Sequence, residues 1–104
     1  MATVKEFIVP YAGVVRVELQ LKSDGSHLAT ARVTSLVAGC DRSAKAATYK
    51  DFACNLRVAA GDRVKVQAEG ESLGGGSFST AFIKNVRVFY DVVDSTGQSK
   101  ILEE

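Results

Sequence analysis

The sequence predicts an all-β protein that forms one antiparallel domain over residues 1–104. Apolar and polar residues alternate with a period of two along most of the chain, which is typical of antiparallel strands with one face in water. Turn signals divide the alternating segments into six or seven short strands. No stretch of ten residues has a convincing helical pattern. Together these observations favour a β-sandwich or a barrel.

The first half of the chain contains two well-patterned strands. In VVRVELQLK, residues 14–22, the apolar residues share one side and the charged or amide residues share the other, which fixes the register. SDGS follows as a turn in which Gly25 is free to adopt a positive φ. HLATARVTS, residues 27–35, resumes the alternation. AGCDRSAKAAT, residues 38–48, breaks it and is predicted to be a loop with at most one helical turn.

Two further strands, YKDFACNLRV and DRVKVQAEG, meet at Gly61-Asp62. Glycine supplies a positive φ in such a link, and an aspartate side chain hydrogen-bonds the nearby backbone. We therefore expect Gly61 and Asp62 to form a structural turn, in preference to a catalytic or metal-binding site.

The last third of the chain has a flexible segment, a long strand and a polar end. GESLGGGSFS is predicted to be a hairpin whose tip is Gly74, Gly75 and Gly76. TAFIKNVRVFYDVV has bulky residues at both parities, so this strand is covered on both faces or contains a bulge. Residues 94–104 are predicted to be a polar tail. The predicted core is Val15, Val17, Leu19, Leu21, Val33, Phe52, Leu56, Val58, Val64, Val66, Val86 and Val88.

The two cysteines have different surroundings. Cys54 alternates with apolar neighbours and is expected to face the core, whereas Cys40 lies in the predicted polar loop. Two cysteines do not make a disulfide framework or a metal site. A bridge between them requires close Cα atoms, so a disulfide and a pair of free thiols both stay open at this point.

The balance of charge limits the classes of partner. The chain has 13 basic and 12 acidic residues and a net charge of +1, which gives no strongly basic surface for nucleic acid. No apolar run has the length of a transmembrane helix, so we expect no membrane insertion. The N-terminus lacks the pattern of a signal peptide, and the chain is therefore expected to be made in a cytoplasm.

No motif indicates an enzyme, a metal or a cofactor. His27 is the only histidine, and no Gly-x-Ser-x-Gly nucleophile motif accompanies it. The glycine run at 74–76 lacks the Gly-Lys-Ser/Thr of a phosphate loop. Among the aspartates, Asp41, Asp51, Asp91 and Asp94 form no pair of the kind that glycosidases use.

Three segments together resemble a known family. They are FIVPYAGVVRVELQLKSDG, YKDFACNLRVAAGDRVKVQAEG and STAFIKNVRVFYDV, which cover roughly residues 7–93. The chain resembles small jelly-roll domains of tailed-bacteriophage virion proteins, especially tail and tail-fibre proteins, and the same type of sandwich occurs in carbohydrate-binding modules. Gly61, Asp62 and Asn85 match the family pattern as structural positions. The absence of tryptophan departs from the sugar-binding modules.

The resemblance implies a jelly-roll sandwich that acts as a structural component of a virion, attached to tail or capsid. Its partners would be other virion proteins and copies of itself, with a trimer as the first expectation. The alternative is a module that binds a surface glycan. The expected surface contacts are Tyr11, Tyr49, Gly74, Gly75, Gly76, Ile101 and Leu102, and the apolar residues Phe7, Ile8 and Val9 are expected to lie outside the best-patterned part of the sandwich, either as contacts or as an edge strand.

Overall fold

The computed structural model describes the backbone of residues 1–93 and 99–103 and the side chains of residues 1–90. Within that part of the chain the backbone forms strands and no helix, and hence no helix of the length and apolar character needed to cross a membrane. The described strands are β1 (Ala2–Ile8), β2 (Gly13–Lys22), β3 (Ala29–Thr34), β4 (Gly39–Ala44), β5 (Lys50–Val58), β6 (Arg63–Gly70), β7 (Ser72–Gly74), β8 (Ser77–Phe78), β9 (Phe82–Val93) and β10 (Ser99–Glu103).

Two four-stranded sheets and one small hairpin make up the fold. Sheet A has the order β1-β6-β3-β4, sheet B has the order β10-β9-β2-β5, and β7 pairs with β8. Every pairing is antiparallel. The predicted all-β sandwich is thus confirmed, while the jelly-roll connectivity stays a prediction.

The period of two in the sequence is the alternation between core and solvent. In β2, every second residue from Val15 to Leu21 is buried, and the same alternation holds in the second half of β5 and at the start of β6. Removing these side chains from water is the main favourable contribution to folding. Residues of both sheets form one buried cluster: Phe7, Val9, Val15, Val17, Leu19, Leu21, Ala29, Ala31, Val33, Ala44, Cys54, Leu56, Val58, Val64, Val66 and Val88.

Two residues of the predicted core are only half-buried, namely Phe52 and Val86. They lie on either side of Leu19, in the part of sheet B where the register between β2 and β9 shifts. The shift is a bulge, because Glu18 pairs with Arg87 but Gln20 pairs with Lys84, and Asn85 has a φ of +54°. An extra residue in one strand interrupts the alternation locally, and this bulge is one of the two alternatives that the sequence predicts for the strand.

The N-terminal segment is part of the sandwich. β1 pairs with β6 and forms an edge of sheet A, in agreement with the edge-strand interpretation. Phe7 and Val9 are core residues, so they are unavailable as surface contacts. The ring of Phe7 meets the ring of Tyr90 edge to face, with 6.2 Å between centroids. Ile8 alone of the three apolar residues is exposed.

The loop predicted for residues 38–48 is wrong over much of its length. Gly39–Ala44 is strand β4, which pairs with β3 in sheet A. The sequence does not show an apolar alternation here, because the charged Arg42 lies between Cys40 and Ala44 on the inward side of this edge strand. Its guanidinium remains hydrogen-bonded, donating to the carbonyl oxygens of Asp41 and Ala53 at 2.9 and 3.3 Å.

Part of the predicted polar tail also belongs to a sheet. Ser99–Glu103 forms β10, which pairs with β9 through contacts such as Ile101 with Asp91. A polar pattern can still form an edge strand, since pairing uses the backbone. Residues 94–98 and 104, and the side chains of the predicted contacts Ile101 and Leu102, lie outside the described part of the structure.

A disulfide joins Cys40 and Cys54, which resolves the alternative that the sequence left open. The Cα atoms are 6.4 Å apart, within the usual range for a bridge. Cys54 is buried as predicted, whereas Cys40 is half-buried and lies in β4 instead of a polar loop. Because β4 is an edge of sheet A and β5 an edge of sheet B, the bridge closes one side of the sandwich.

Candidate functional site

Asp62 joins three connections at one end of the sandwich. Its side chain is 1% exposed, and Oδ1 accepts a hydrogen bond from the Leu36 amide at 3.0 Å. Its carbonyl oxygen accepts from the Val9 amide at 2.8 Å, and its own amide donates to the Ala59 carbonyl at 3.1 Å. Gly61, with a φ of +81°, donates to the Val9 carbonyl at 2.8 Å. Asp62 thus ties together the β1–β2, β3–β4 and β5–β6 connections.

This geometry is that of a structural junction. Both oxygens of the Asp62 carboxylate are buried in the fold, and Oδ2 has no hydrogen-bond partner among the described residues. In the same part of the chain, no three histidine, cysteine, aspartate or glutamate side chains are grouped so that they could hold a metal ion.

Replacing Asp62 with alanine is expected to lower the free energy of unfolding by about 1–3 kcal/mol, because the partly buried Leu36 amide loses its acceptor. Asp62→Asn keeps an acceptor oxygen at the same place and should cost less. Urea denaturation of the two variants and the wild type measures both changes. An alanine variant as stable as the wild type would show that the junction does not hold the loops together.

An apolar tip, formed by Tyr11, Leu36 and Val37, lies on the connections that Asp62 joins. These side chains are 55%, 82% and 62% exposed. The β3–β4 turn that carries two of them is held by Ser35, whose hydroxyl oxygen accepts from the Val37 and Ala38 amides at 3.3 and 3.0 Å. Leu36 and Val37 are therefore exposed apolar side chains on a backbone that hydrogen bonds hold in place.

A groove of about 850 Å³ crosses the outer face of sheet B beside the bulge of β9. Hydrogen bonds cross its floor from one strand to the next. Asn85 Nδ2 donates to Gln20 Oε1 at 2.6 Å, and Gln20 Nε2 donates to Asp51 Oδ1 at 2.8 Å. The polar side chains that line the groove are Arg16, Glu18, Gln20, Asp51, Asn85 and Arg87.

A lysine–aromatic cluster, formed by Lys22, Tyr49, Phe82 and Lys84, lies next to this groove. Lys84 Nζ is 4.1 Å from the centroid of the Tyr49 ring, and Lys22 Nζ is 4.9 Å from the centroids of both Tyr49 and Phe82. The cluster adjoins the groove because Lys84 pairs with Gln20 across the sheet. Each ammonium group interacts with the negative face of an aromatic ring.

Ion pairs compensate charges on both outer faces of the sandwich, including Arg16 with Glu18 at 2.9 Å on sheet B. On sheet A, Arg32 pairs with Asp41 and Arg63 pairs with Glu6, each at 2.8 Å. The hydrogen bond from Arg32 lowers the pKa of Asp41, and Asp41 raises the pKa of Arg32. On sheet B, no carboxylate with a described side chain forms an ion pair with Lys22 or Lys84.

The β2–β3 turn lies at the end of the sandwich opposite the apolar tip. Gly25 has a φ of +93°, and Asp24 accepts hydrogen bonds from the amides of Ser26 and His27 at 2.9 Å. The imidazole of His27 lies 2.7 Å from Asp24 Oδ2. Hydrogen bonds from His27 and from the two amides lower the pKa of Asp24 to about 2. His27 thus stabilises a turn at the surface.

The glycine tip joins β7 to β8 and is exposed, and Leu73 and Phe78 beside it are about half exposed. The base of this hairpin is fixed, because the Glu71 amide donates to Ser79 Oγ at 2.8 Å and the Ser79 amide donates to the Glu71 carbonyl at 2.9 Å. Gly70 is required here, since a Cβ would overlap the carbonyl of Ser79.

The structure separates the predicted surface contacts. Tyr11 belongs to the apolar tip, Tyr49 to the lysine–aromatic cluster, and Gly74–Gly76 to the β7–β8 hairpin. Sequence reasoning missed Leu36, Val37, Lys22 and Lys84. The two lysines occupy outward positions of well-patterned strands, but only the pairing of β2 with β9 brings them to the same tyrosine.

Comparison with known proteins finds no family model that matches the chain, and no curated protein or solved structure that is significantly similar to it.

Proposed function

We propose that the protein is a non-enzymatic structural component of a bacteriophage particle that acts through protein–protein contacts. The proposal of protein–protein contacts rests on the apolar tip, whose three large side chains are more than half exposed. Hydrogen bonds to Asp62 and Ser35 fix the backbone there. The phage context rests on the three sequence segments that resemble tail and tail-fibre proteins.

The tip suits an anchor in an apolar pocket of a neighbouring virion protein. Large apolar and aromatic side chains dominate the binding energy of interfaces when they enter a pocket and lose water. A backbone that is already ordered loses little conformational entropy on binding. Leu36 and Val37 therefore offer more affinity than equally exposed residues on a flexible loop would.

Copies of the chain could in addition associate through β1. The β4 and β5 edges are joined by the disulfide, and the Arg42 guanidinium covers the carbonyl of Ala53 on the β5 edge. β1 forms the opposite edge of sheet A and leaves backbone groups available for pairing. Pairing of β1 with β1 of a second copy would give a two-fold dimer, whereas the trimer that is the first expectation would pair β1 with a different surface of the next copy.

The disulfide fits the surface of a particle. Such bridges persist in oxidising surroundings, which include virion and cell surfaces. A virion protein can be made in the host cytoplasm and acquire the bridge after release, so the disulfide and the expected site of synthesis are compatible.

Light scattering and binding to particles test the proposal. The full chain is expected to be oligomeric or to bind particles purified from the phage that encodes it, and Leu36→Ser/Val37→Ser should weaken particle binding about tenfold or more. Leu73→Ser, at an exposed apolar residue of the β7–β8 hairpin, is the matched control and should bind normally. A monomeric chain that binds no particle, or an equal loss in both variants, would contradict the proposal.

A carbohydrate-binding module is the second candidate, and the groove on sheet B favours it. Amide and carboxylate side chains there are joined across three strands, and such groups recognise sugar hydroxyls. A glycan array measures this activity. Binding on the array by a chain that ignores phage particles would favour the second candidate over the first.

A further inference from the structure

We propose that the groove and the adjoining lysine–aromatic cluster bind an acidic saccharide, with the carboxylate of the sugar between Lys22 and Lys84. This inference rests on the second candidate function and is independent of assembly through the apolar tip. It adds to that candidate the chemical class of the sugar and the two residues that select it.

The two ammonium groups form a preorganised site for an anion. Both contact the same Tyr49 ring, at 4.9 and 4.1 Å from its centroid, so one ring holds both lysine side chains in the same part of sheet B. No carboxylate with a described side chain forms an ion pair with either lysine. A carboxylate placed beside this ring would form charge-assisted hydrogen bonds with the ammonium groups.

The groove offers complementary groups for the hydroxyls of the same ligand. Gln20 uses one lone pair for Asn85 and one N–H for Asp51, which leaves a donor and an acceptor unused. Asp51 Oδ2 and Asn85 Oδ1 add further acceptors. Since Lys84 pairs with Gln20 across the sheet, one sugar unit can reach both the anion site and the amide chain.

The same arrangement disfavours two other ligands. A neutral sugar stacks on an open aromatic face, but the Tyr49 ring already faces two ammonium groups. A DNA strand supplies the anion but lacks the row of hydroxyls of a saccharide, so it would leave the spare acceptors of Gln20, Asp51 and Asn85 without donors. An acidic saccharide places its charge at the lysines and its hydroxyls along the amides.

Calorimetry on the full chain tests the inference with two probes, oligogalacturonate and neutral dextran oligosaccharides. The wild type should bind oligogalacturonate, and binding should weaken as salt is added. Lys22→Gln/Lys84→Gln should weaken it about tenfold or more. Lys65→Gln, on sheet A, is the matched control and should bind as the wild type does.

The outcomes distinguish the acidic-sugar inference from the carbohydrate-module candidate. Loss of oligogalacturonate binding in the Lys22→Gln/Lys84→Gln variant alone supports the inference. Equal loss in the double variant and in Lys65→Gln means that diffuse charge binds the probe and overturns it. Dextran bound as tightly as oligogalacturonate keeps the carbohydrate module but overturns the acidic-sugar assignment. No binding to either sugar, or preferential binding to single-stranded DNA, overturns both.

Discussion

Replacing Leu19 with alanine is expected to lower the free energy of unfolding by about 2–5 kcal/mol. Leu19 is 3% exposed and lies in the central part of β2, where it pairs with Phe52 on one side and faces the β9 bulge on the other. Truncation removes buried apolar surface and leaves a cavity that closely packed neighbours fill only in part. A domain with about 5–15 kcal/mol of total stability would lose much of it.

Leu36→Ala is the matched control, because the same side chain is removed at a position that is 82% exposed. Its stability should stay within about 0.5 kcal/mol of the wild type. Phe52→Ala should fall between the two, since Phe52 is half-buried. Chemical denaturation gives all three values. Equal denaturation midpoints for the Leu19 and Leu36 variants would mean that the inward and outward faces of sheet B have been exchanged.

Removal of the disulfide, as Cys40→Ala/Cys54→Ala, is expected to cost about 3 kcal/mol. The cysteines are separated by 14 positions, and a bridge across a loop of about that length restricts the unfolded chain by roughly this amount. Among the described residues, the bridge is the only covalent link between the β4 and β5 edges. Its loss should therefore loosen that side of the sandwich first.

Reduction of the wild-type protein provides the control for this variant. Thermal unfolding with and without a thiol reductant should show a loss similar to that of the double variant, which itself should be insensitive to the reductant. Quantitation of free thiols in the unfolded, unreduced wild type should find none. Two free thiols per chain, or a double variant of unchanged stability, would contradict the bridge or its energetic role.

The lysine–aromatic cluster lies at the end of the sandwich opposite the apolar tip. β2 begins at Gly13, next to the connections of the tip, and ends at Lys22 in the cluster. Ten residues of extended chain span roughly 30 Å. A chain anchored to a particle by its tip would therefore present the cluster away from the anchor, so assembly and sugar binding would not compete for the same residues.

The class of fold and most of the core can be predicted from the sequence alone. The period of two in β2, in the second half of β5 and at the start of β6 predicts the buried residues there, because antiparallel strands with one wet face alternate between core and solvent. The sequence also identified Gly61-Asp62 as a link between strands, since the residue types report the local backbone geometry. The sequence does not predict that Asp62 accepts a hydrogen bond from the Leu36 amide, because the two residues are far apart in sequence.

Features that depend on which strands are neighbours can be seen only in the folded structure. The sequence does not predict β4, because the inward Arg42 interrupts the alternation. The pairing of β4 with β3 shows that this segment is a strand. The bulge at Asn85 set the burial of Phe52 and Val86, and the meeting of β4 with β5 set the disulfide. Lys22, Tyr49 and Lys84 come from three strands or their ends, and no local pattern encodes their common ring contact. Long-range pairing places such residues together, and pairing is a property of the whole sandwich.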